Sequence, residues 1–425
     1  MRHAPTLPAL THELKPLRAL CAVAACGSTA RAAQRLHLTQ PSVARAIQDL
    51  ESRLGTRLFD RTARGMVPLA AADSLTRRAL RALQCMAVGS PATRRSVADD
   101  PLAWTASRVA SGAVARHLEV MVSLCDTLSQ THTGRALGIS QSAVQQTLAQ
   151  LEHMAGAPLF VRSRRGLRPT DEGDSLLKAF KLAKAELAQA EEELGHQRGT
   201  AQGRFVIGTL PFSTGRLLSQ AVDDVLAEHP GLSLTIIDGT FEALVHKLRH
   251  AEIDLVAGAL RAEPPGPDLV QHTLFEDPLV VVARARHPLA ARSRLKWSDL
   301  RGAPWIMPMP NTPAQAAFEQ ALAHAGIALP ADPLRVNSAL MMVSLLLQGD
   351  RLALMSRRHV ERELREGMLR ELPVAVQHAP RRIGYLRRAD YLPTPAAQSM
   401  FEALERAGAD IAAGGLDRVR RKQQP

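Results

Sequence analysis

One segment of the sequence occurs twice, and this repeat limits the possible folds more than any other feature. Residues 36–68 align with residues 137–169 without a gap, so that Leu36 falls on Leu137 at an offset of 101 residues, and 12 of the 33 aligned positions are identical. In each copy, helix-like apolar spacing is followed by a Gly-centred turn between two short extended runs. Two occurrences are too few for a solenoid, so the sequence predicts one small domain present twice.

In each copy, two short apolar helical stretches precede a third helix with a polar outer face. Thr39 and Ser140 are suitable N-caps for the third helix, and Pro41 fits its first turn, where a missing N–H costs little. Apolar residues recur every three or four positions along this helix, which turns Gln, Ser and Arg side chains outward. This pattern predicts a helix-turn-helix that reads the major groove of DNA.

A β-wing is predicted directly after the third helix of each copy. The runs LFDRTARGMVPL and LFVRSRRGLRPT place a Gly-centred turn between short extended segments. We expect their arginines to lie along the phosphate backbone of DNA, and the alternative is a solvated basic hairpin. These arginines are Arg61 and Arg64 in the first copy and Arg162, Arg164 and Arg165 in the second.

The run AAQRLHLTQPSVARAIQDLESRLGTRLFDRTARG resembles the winged helix-turn-helix signature of the LysR-type transcriptional regulators almost throughout. The Gln-Pro-Ser entry, Leu-Glu, Leu-Phe and the Arg-Gly wing occur in the order of that family. The resemblance implies sequence-specific binding to double-stranded DNA. The family's reading helix corresponds to Gln40, Pro41, Ser42 and Arg45, and its wing to Arg61 and Arg64.

The second copy also resembles this family, but it departs from the pattern in its reading helix. Gln146 stands where the first copy has Arg45, so this helix carries no cation. Glutamine still pairs with adenine edges. The second copy therefore reads different bases, binds weakly, or serves as a spacer or dimer contact. Its candidate reading residues are Gln141, Ser142, Gln145 and Gln146.

The positive charge lies mainly in the half that contains the repeat. The chain has a formal net charge of +12, and the part before Gly203 carries 26 basic and 17 acidic residues against 27 and 24 after it. A basic surface of this kind is expected where a protein meets phosphate. Aromatic residues make up only 3 % of the chain, which leaves few stacking platforms for single-stranded nucleic acid.

The sequence outside the repeat divides into linkers and one further domain. We expect winged domains over 12–86 and 105–170, a surface linker over 87–104, and a basic tail over 411–425. An uninterrupted amphipathic pattern predicts a long helix over 171–198. By resemblance this is the family's linker helix, which pairs two subunits and would give a homodimer or homotetramer. The alternative is that it packs against the chain's own domains.

From 204 to 410 the pattern changes to alternating strands and helices, which predicts two α/β lobes with sheets of mostly parallel strands. Residues 279–283 and the segment around Pro380 are the candidate crossovers between the lobes. This part resembles the LysR effector-binding domain, itself similar to type 2 periplasmic binding proteins. Open helix N-termini favour a small, anionic effector in the cleft. The candidate effector residues are Thr209, Phe212, Ser213, Asn311, Thr312, Ser338 and Met355.

Other protein classes find little support in the sequence. No stretch is long and apolar enough to span a membrane, no secretory leader is evident, and the four cysteines form no CxxC pair. We expect a cytoplasmic protein without a metal or other cofactor. His246 and His250 are spaced for a metal on one helix, but no third ligand is apparent.

The fold class we predict is therefore two winged helix-turn-helix domains followed by a two-lobed α/β domain. Motifs for nucleophilic, metal-dependent or nucleotide-dependent catalysis are lacking, so we predict a DNA-binding regulator rather than an enzyme. Two alternatives stay open. One is an architectural DNA-binding protein with a vestigial cleft, and the other is a cytoplasmic solute-binding protein.

Overall fold

The computed structural model describes residues 9–62, 65–88, 100–164, 166–198, 203–211, 215–328, 334–376 and 380–413. The predictions for Arg64, Arg165, Phe212 and Ser213, and those for most of the basic tail, lie outside the described residues. The chain divides into two compact units. Unit 1 consists of Met1–Gly203 with His250–Glu252, and unit 2 of Arg204–Arg249 with Ile253–Pro425.

Unit 1 contains both copies of the repeat, each built as helices followed by a two-stranded hairpin and a longer helix. The first copy consists of α1 (Leu14–Cys26), α2 (Thr29–Leu36), α3 (Gln40–Leu54), β1 (Phe59–Thr62), β2 (Gly65–Pro68) and α4 (Ala70–Val88). The second consists of α5 (Arg108–Gly112), α6 (Ala115–Thr127), α7 (Gln130–Leu137), α8 (Gln141–Ala155), β3 (Phe160–Ser163), β4 (Gly166–Pro169) and α9 (Asp171–Gln197).

The sequence repeat is also a repeat of local structure. The Glu51 carboxylate accepts a hydrogen bond from the Leu58 N–H at 2.7 Å, and Glu152 accepts one from the Leu159 N–H at 2.9 Å. In each copy this contact ties the third helix to the start of the wing. The two antiparallel wings pair in equivalent registers, Phe59 with Pro68 and Phe160 with Pro169.

A single apolar core runs through both copies. One cluster of buried side chains extends from Leu10 in the first copy to Leu194 in α9, and α4 packs along α9. Apolar side chains of α9 are therefore covered by α4 of the same chain, which is the alternative named for the 171–198 helix.

The predicted surface linker over 87–104 is buried at its C-terminal end. Residues 89–99 lie outside the described part of the chain. Leu102 and Trp104 are 3 % and 0 % exposed and belong to the shared core, within and beside the 3₁₀ turn Ala103–Ala106. The tryptophan ring is too large and too apolar to be left on a flexible connector once a core is within reach.

Unit 2 contains the predicted alternation of strands and helices. Its first part consists of β5 (Gly203–Thr209), α10 (Gly215–Glu228), β6 (Leu232–Asp238), α11 (Phe241–Arg249), β7 (Leu255–Ala259) and β8 (Leu269–Arg284). Its second part consists of β9 (Trp305–Met307), α12 (Pro313–His324), β10 (Leu334–Arg335), α13 (Ala339–Gln348), β11 (Leu352–Ser356), α14 (Glu361–Arg365) and β12 (Leu369–Glu371). The last elements are β13 (Pro380–Arg388) and α15 (Pro395–Ala412).

The strands of unit 2 form two half-sheets that share the long strand β8. The strand order is β10-β9-β11-β8-β13-β7-β5-β6, and β12 also pairs with β8. β8 pairs with β13 up to Pro278 and with β11 from Leu279 onward. This confirms the predicted crossovers at Leu279 and Pro380. Because β8 and β13 run antiparallel to their neighbours, the sheet is mixed rather than mostly parallel.

Each half-sheet is covered by helices that bury its apolar side chains. α10 and α15 pack together over the first lobe, where Phe205, Tyr385 and Phe401 are buried. Trp305 and Phe318 anchor the second lobe. The C-terminal helix α15 therefore packs on the first lobe. Among the described residues, no helix has the length and apolarity needed to cross a membrane.

Candidate DNA-binding and effector-binding sites

The third helix of the first copy, α3, separates its apolar and polar side chains onto opposite faces. Val43, Ile47, Leu50 and Leu54 are buried in the shared core. The Thr39 hydroxyl accepts a hydrogen bond from the Ser42 N–H at 3.4 Å, which confirms the predicted N-cap. The side chains predicted to read DNA are among those left exposed, namely Gln40, Pro41, Ser42 and Arg45.

The corresponding helix of the second copy, α8, has the same construction. The Ser140 hydroxyl accepts the Ala143 N–H at 3.1 Å, so the second predicted N-cap is also confirmed. Its predicted reading residues are all neutral, because glutamine replaces the arginine of the first copy. The exposed candidates are Gln141, Ser142, Gln145 and Gln146.

Each reading helix is braced against the helix that precedes it in the turn. The Gln40 amide donates to the Thr29 hydroxyl at 3.3 Å, and the Thr131 hydroxyl donates to the Gln141 side-chain oxygen at 3.1 Å. These contacts restrict the rotamers of the first exposed side chain of each helix. A side chain restricted in this way loses less conformational entropy when it binds a base edge.

The wings place arginines beside both reading helices. Arg61, Arg162 and Arg164 are exposed, as phosphate contacts require, and Arg64 and Arg165 lie outside the described residues. In the first copy a groove with a cavity volume of about 220 Å³ separates the reading helix from the wing. Thr29, Gln48, Arg57 and Arg61 are among the residues that line it.

Two further exposed cations belong to these wings and were not among the predicted DNA-binding residues. Arg57 precedes β1 and pairs with Asp60 at 2.9 Å, and Arg168 lies in β4 where the first copy has Val67. Arg168 could have been found from the alignment of the repeat, since it is a basic residue gained beside the wing turn. The second copy thus lacks a cation on its reading helix and carries an additional one on its wing.

The predicted effector residues of the second lobe lie at the ends of parallel strands. β10, β9 and β11 run parallel, so their carboxyl ends share one edge of the sheet. Thr312 and Ser338 follow two of these strands and cap α12 and α13, accepting the N–H groups of Gln315 at 3.2 Å and Met341 at 3.3 Å. The structure therefore brings these two hydroxyls to one edge.

The remaining effector candidates are placed less uniformly. Asn311 is exposed beside Thr312, with a left-handed backbone at φ 58°, and its N–H donates to the Gln315 side chain at 2.8 Å. Thr209 ends β5 in the first lobe and is buried. Met355 is buried in an apolar cluster with Val282. Its side chain belongs to the core of the second lobe, because strand alternation places it on the face of the sheet where Met342 and Leu346 of α13 are buried.

The histidines and cysteines among the described residues form no metal site, and two of the thiols are unreactive. No group of three or more His, Cys, Asp or Glu side chains there is arranged to hold a metal ion. Burial raises the pKa of the Cys21 thiol, and burial, supported by Asp174, raises that of Cys125 to about 12. Both thiols are therefore protonated and poorly nucleophilic near neutral pH.

Two family profiles together cover most of the chain. The profile described as "LysR substrate binding domain" matches residues 198–409. The profile described as "Bacterial regulatory helix-turn-helix protein, lysR family" matches twice, at residues 14–73 and 115–174. The chain belongs to the LysR family of transcriptional regulators. Its two helix-turn-helix matches coincide with the two copies of the repeat.

Curated relatives support the same assignment. The chain is 33 % identical over 391 residues to the HTH-type transcriptional regulator GalR of Pseudomonas putida, an alignment that covers 92 % of this chain and 96 % of that protein. It is 27 % identical over 298 residues to the HTH-type transcriptional regulator PcaQ of Agrobacterium fabrum, covering 70 % and 95 %. An alignment as long as the first includes residues of both helix-turn-helix segments.

A solved structure shows the same fold. Full-length OxyR from Pseudomonas aeruginosa, in a variant form, covers 69 % of this LysR-family chain and 93 % of its own, with a TM-score of 0.51 and 18 % identity. The family matches make this LysR-family chain a DNA-binding regulator with an effector-binding domain, and it carries a second winged helix-turn-helix.

Proposed function

We propose that this LysR-family chain regulates transcription in the cytoplasm by reading duplex DNA through α3, α8 and the two wings, without catalysing a reaction. The observation that carries the proposal is the exposed polar face of α3. Its large apolar residues Val43, Ile47, Leu50 and Leu54 are buried, while Gln40, Ser42 and Arg45 face solvent. Base edges in the major groove are recognised by hydrogen bonds from such side chains, with Arg suited to guanine and Gln to adenine.

The wings are proposed to supply the phosphate contacts. Arg61, Arg162 and Arg164 are exposed on hairpins that directly follow the reading helices. Such contacts fix the register of a protein on the duplex but carry no sequence information. The excess of 26 basic over 17 acidic residues before Gly203 supports the same role, because it attracts the DNA backbone.

Unit 2 is proposed to bind the effector at the strand edges of its two lobes. Thr312 and Ser338 support this site, since each opens a helix whose first N–H groups favour an anion. A ligand that binds one arrangement of the lobes better than another shifts the population between them. The regulator would use that shift to change how its readers meet DNA.

Selection of bound sequences from a random duplex pool by the full chain tests the DNA-reading role. We expect an enriched motif whose affinity falls steeply between 50 and 200 mM salt, as it does for proteins that neutralise several phosphates. Binding without any sequence preference would contradict sequence-specific regulation and favour the architectural alternative.

A thermal-shift screen of organic acids, sugars and aromatic compounds tests the effector site. We expect an anionic compound to raise the unfolding temperature, because a ligand bound to the native state stabilises it. The Ser338→Ala and Thr312→Ala variants should weaken that shift. A compound that binds while no DNA motif is enriched would favour the solute-binding alternative.

A further inference from the structure

We propose that one chain carries a complete pair of DNA readers, held together by α4 and α9, and that this pair reads two unlike half-sites on one duplex. The inference rests on the proposed DNA-reading function. It adds that the partner of each reader is the other copy in the same chain, and not a second subunit.

A buried cluster of charged and polar side chains joins α4 to α9. The Arg78 side chain is fully buried, and its Nε and Nη1 atoms donate to Glu193 Oε1 at 2.9 Å and to Glu186 Oε2 at 3.0 Å. The Ser74 hydroxyl donates to the same Glu193 carboxylate. We call this set the Arg78 cluster; it consists of Ser74, Arg78 and Arg81 on α4 and Glu186, Gln189 and Glu193 on α9.

The Arg78 cluster makes the pairing of the two helices specific. A guanidinium can be buried in an apolar core only where carboxylates and hydrogen-bond acceptors surround it. Gln189 Oε1 accepts a further bond from Nη1 at 2.8 Å, and Arg81 Nε pairs with Glu186 at 2.8 Å. α4 therefore needs the acceptors of α9, and the carboxylates of α9 need the arginines of α4.

Contacts away from the cluster fix the two copies as one body. The buried Arg18 of α1 donates from Nε to the Ala110 carbonyl of the second copy at 2.7 Å, and its Nη2 donates to the Ala113 carbonyl. The Leu10 N–H donates to Glu191 Oε1 on α9 at 2.6 Å. Because the two copies also share an apolar core, the spacing between their reading helices is fixed, and the two copies do not move independently.

The two readers are not equivalent, so their half-sites should differ. At the same helical position the first copy exposes Arg45 and the second exposes Gln146. Arginine selects guanine, whereas glutamine selects adenine. Arg168, present only in the second wing, adds a phosphate contact where the first copy has Val67. The expected operator is one asymmetric pair of half-sites for each chain.

Complementation in cis and in trans tests whether α4 and α9 pair within the chain. The Arg78→Met variant removes the buried guanidinium that Glu186 and Glu193 share, and the Glu186→Gln/Glu193→Gln variant leaves the Arg78 guanidinium without carboxylates. We expect each full-length variant to unfold about 10 °C lower than the parent chain. All three substitutions in one chain remove both sides of the cluster and should restore most of the lost stability.

Co-expression of the two variants, with a different tag on each, supplies the trans arrangement. If α4 pairs with α9 within each chain, the co-purified protein keeps the low unfolding temperature of the single variants, or the two chains do not co-purify. If the helices pair between chains, the mixed assembly contains one matched neutral pair and one intact cluster, and its unfolding temperature returns to the parent value. That return, or full stability of either variant alone, would overturn the proposal.

Selection from a random duplex pool by the full chain tests whether the pair of readers binds two unlike half-sites. We expect two unlike motifs at one fixed spacing, with Arg45→Ala reducing enrichment of one motif and Gln146→Ala reducing that of the other, each by about 10- to 100-fold. A single motif would overturn the paired-reader inference and leave the proposed function intact. No motif at all would instead contradict the proposed function, and the stability experiment would still report on the helix pairing.

Discussion

Arg45 and Gln146 occupy the same position of two reading helices and differ in charge. If Arg45 contacts a base, Arg45→Ala should weaken binding to the selected site by about 1–3 kcal/mol and relax its sequence preference at one position. Fluorescence anisotropy with the selected duplex and with scrambled duplex measures both effects. Arg406→Ala is the matched control, because it removes one exposed arginine from α15 in unit 2. Equal losses in the two variants would mean that only general charge was removed.

His117 links two helices of the second copy and should make that copy sensitive to mild acid. Its Nδ1 accepts the Val114 N–H at 3.0 Å, and its Nε2 lies 3.2 Å from Gln150 Oε1, an arrangement that suits the neutral ring. Burial lowers the pKa of His117 from 6.5, and Arg18 acts in the same direction. Below the unfolded value the unfolded chain therefore binds more protons, so the stability of the folded state falls as pH drops below about 6.5.

Thermal unfolding at pH 7.5 and pH 5.5 measures this effect. We expect His117→Asn, which cannot titrate, to lose less stability over this interval than the parent chain. His153→Gln, which changes an exposed histidine on α8, is the matched control. An unchanged pH dependence in His117→Asn would show that this ring does not titrate differently on folding.

The glycines of the two wing turns are packed with different tightness, so a substitution in one wing is the control for the same substitution in the other. Gly65 and Gly166 both have left-handed backbones, with φ of 119° and 108°. A Cβ added at Gly65 would lie 2.4 Å from the Gly27 carbonyl oxygen, whereas one at Gly166 would lie 3.3 Å from that of Leu128. Backbone strain should lower the free energy of unfolding of both alanine variants by about 1–3 kcal/mol. In Gly65→Ala, the overlap of the new Cβ with the Gly27 carbonyl oxygen should lower it by a similar further amount.

Urea unfolding of the two alanine variants tests this difference between the wings. We expect Gly65→Ala to be the less stable variant and to lose DNA affinity through the first reader. Equal destabilisation would mean that the Gly27 carbonyl moves aside at little cost.

Sequence patterns predicted elements well where local signals agreed with burial. The helix expected over 171–198 corresponds to α9 (Asp171–Gln197), and the N-caps Thr39 and Ser140 lie where the cap signals indicated. The sequence pattern does not predict α4, because Ser74, Thr76 and Arg78 interrupt its apolar period and are nevertheless buried. The groups that satisfy Arg78 lie on α9, more than 100 residues further along the chain, where local periodicity cannot detect them.

The candidate site residues, too, were predicted well only where local sequence signals determine burial. The exposed face of α3 follows from helical spacing alone, because the helix buries one stripe and leaves the other to solvent. Met355 lies near the end of β11, but its burial depends on which way the pleat faces in a sheet assembled from distant strands. Trp104 was likewise assigned to a linker, because the core that buries it comes from both copies.

For the molecule as a whole, a rigid pair of readers requires a fixed separation between its two half-sites on DNA. The shared core and the Arg78 cluster hold α3 and α8 in one arrangement. Half-sites that face the same side of a duplex recur every 10–10.5 base pairs or so. A flexible tether would tolerate other separations, whereas a rigid pair would not.

Inserting base pairs between the two selected half-sites tests this rigidity. An insertion of about 5 base pairs turns one half-site to the opposite side of the duplex, so we expect the affinity to fall to that of a single half-site. An insertion of about 10 base pairs restores the facing but lengthens the separation by about 34 Å, which a fixed pair cannot span. Competition binding with the parent duplex measures both. Equal affinity for all three duplexes would show that the readers move independently, and recovery at 10 base pairs alone would assign the second half-site to another chain of an oligomer.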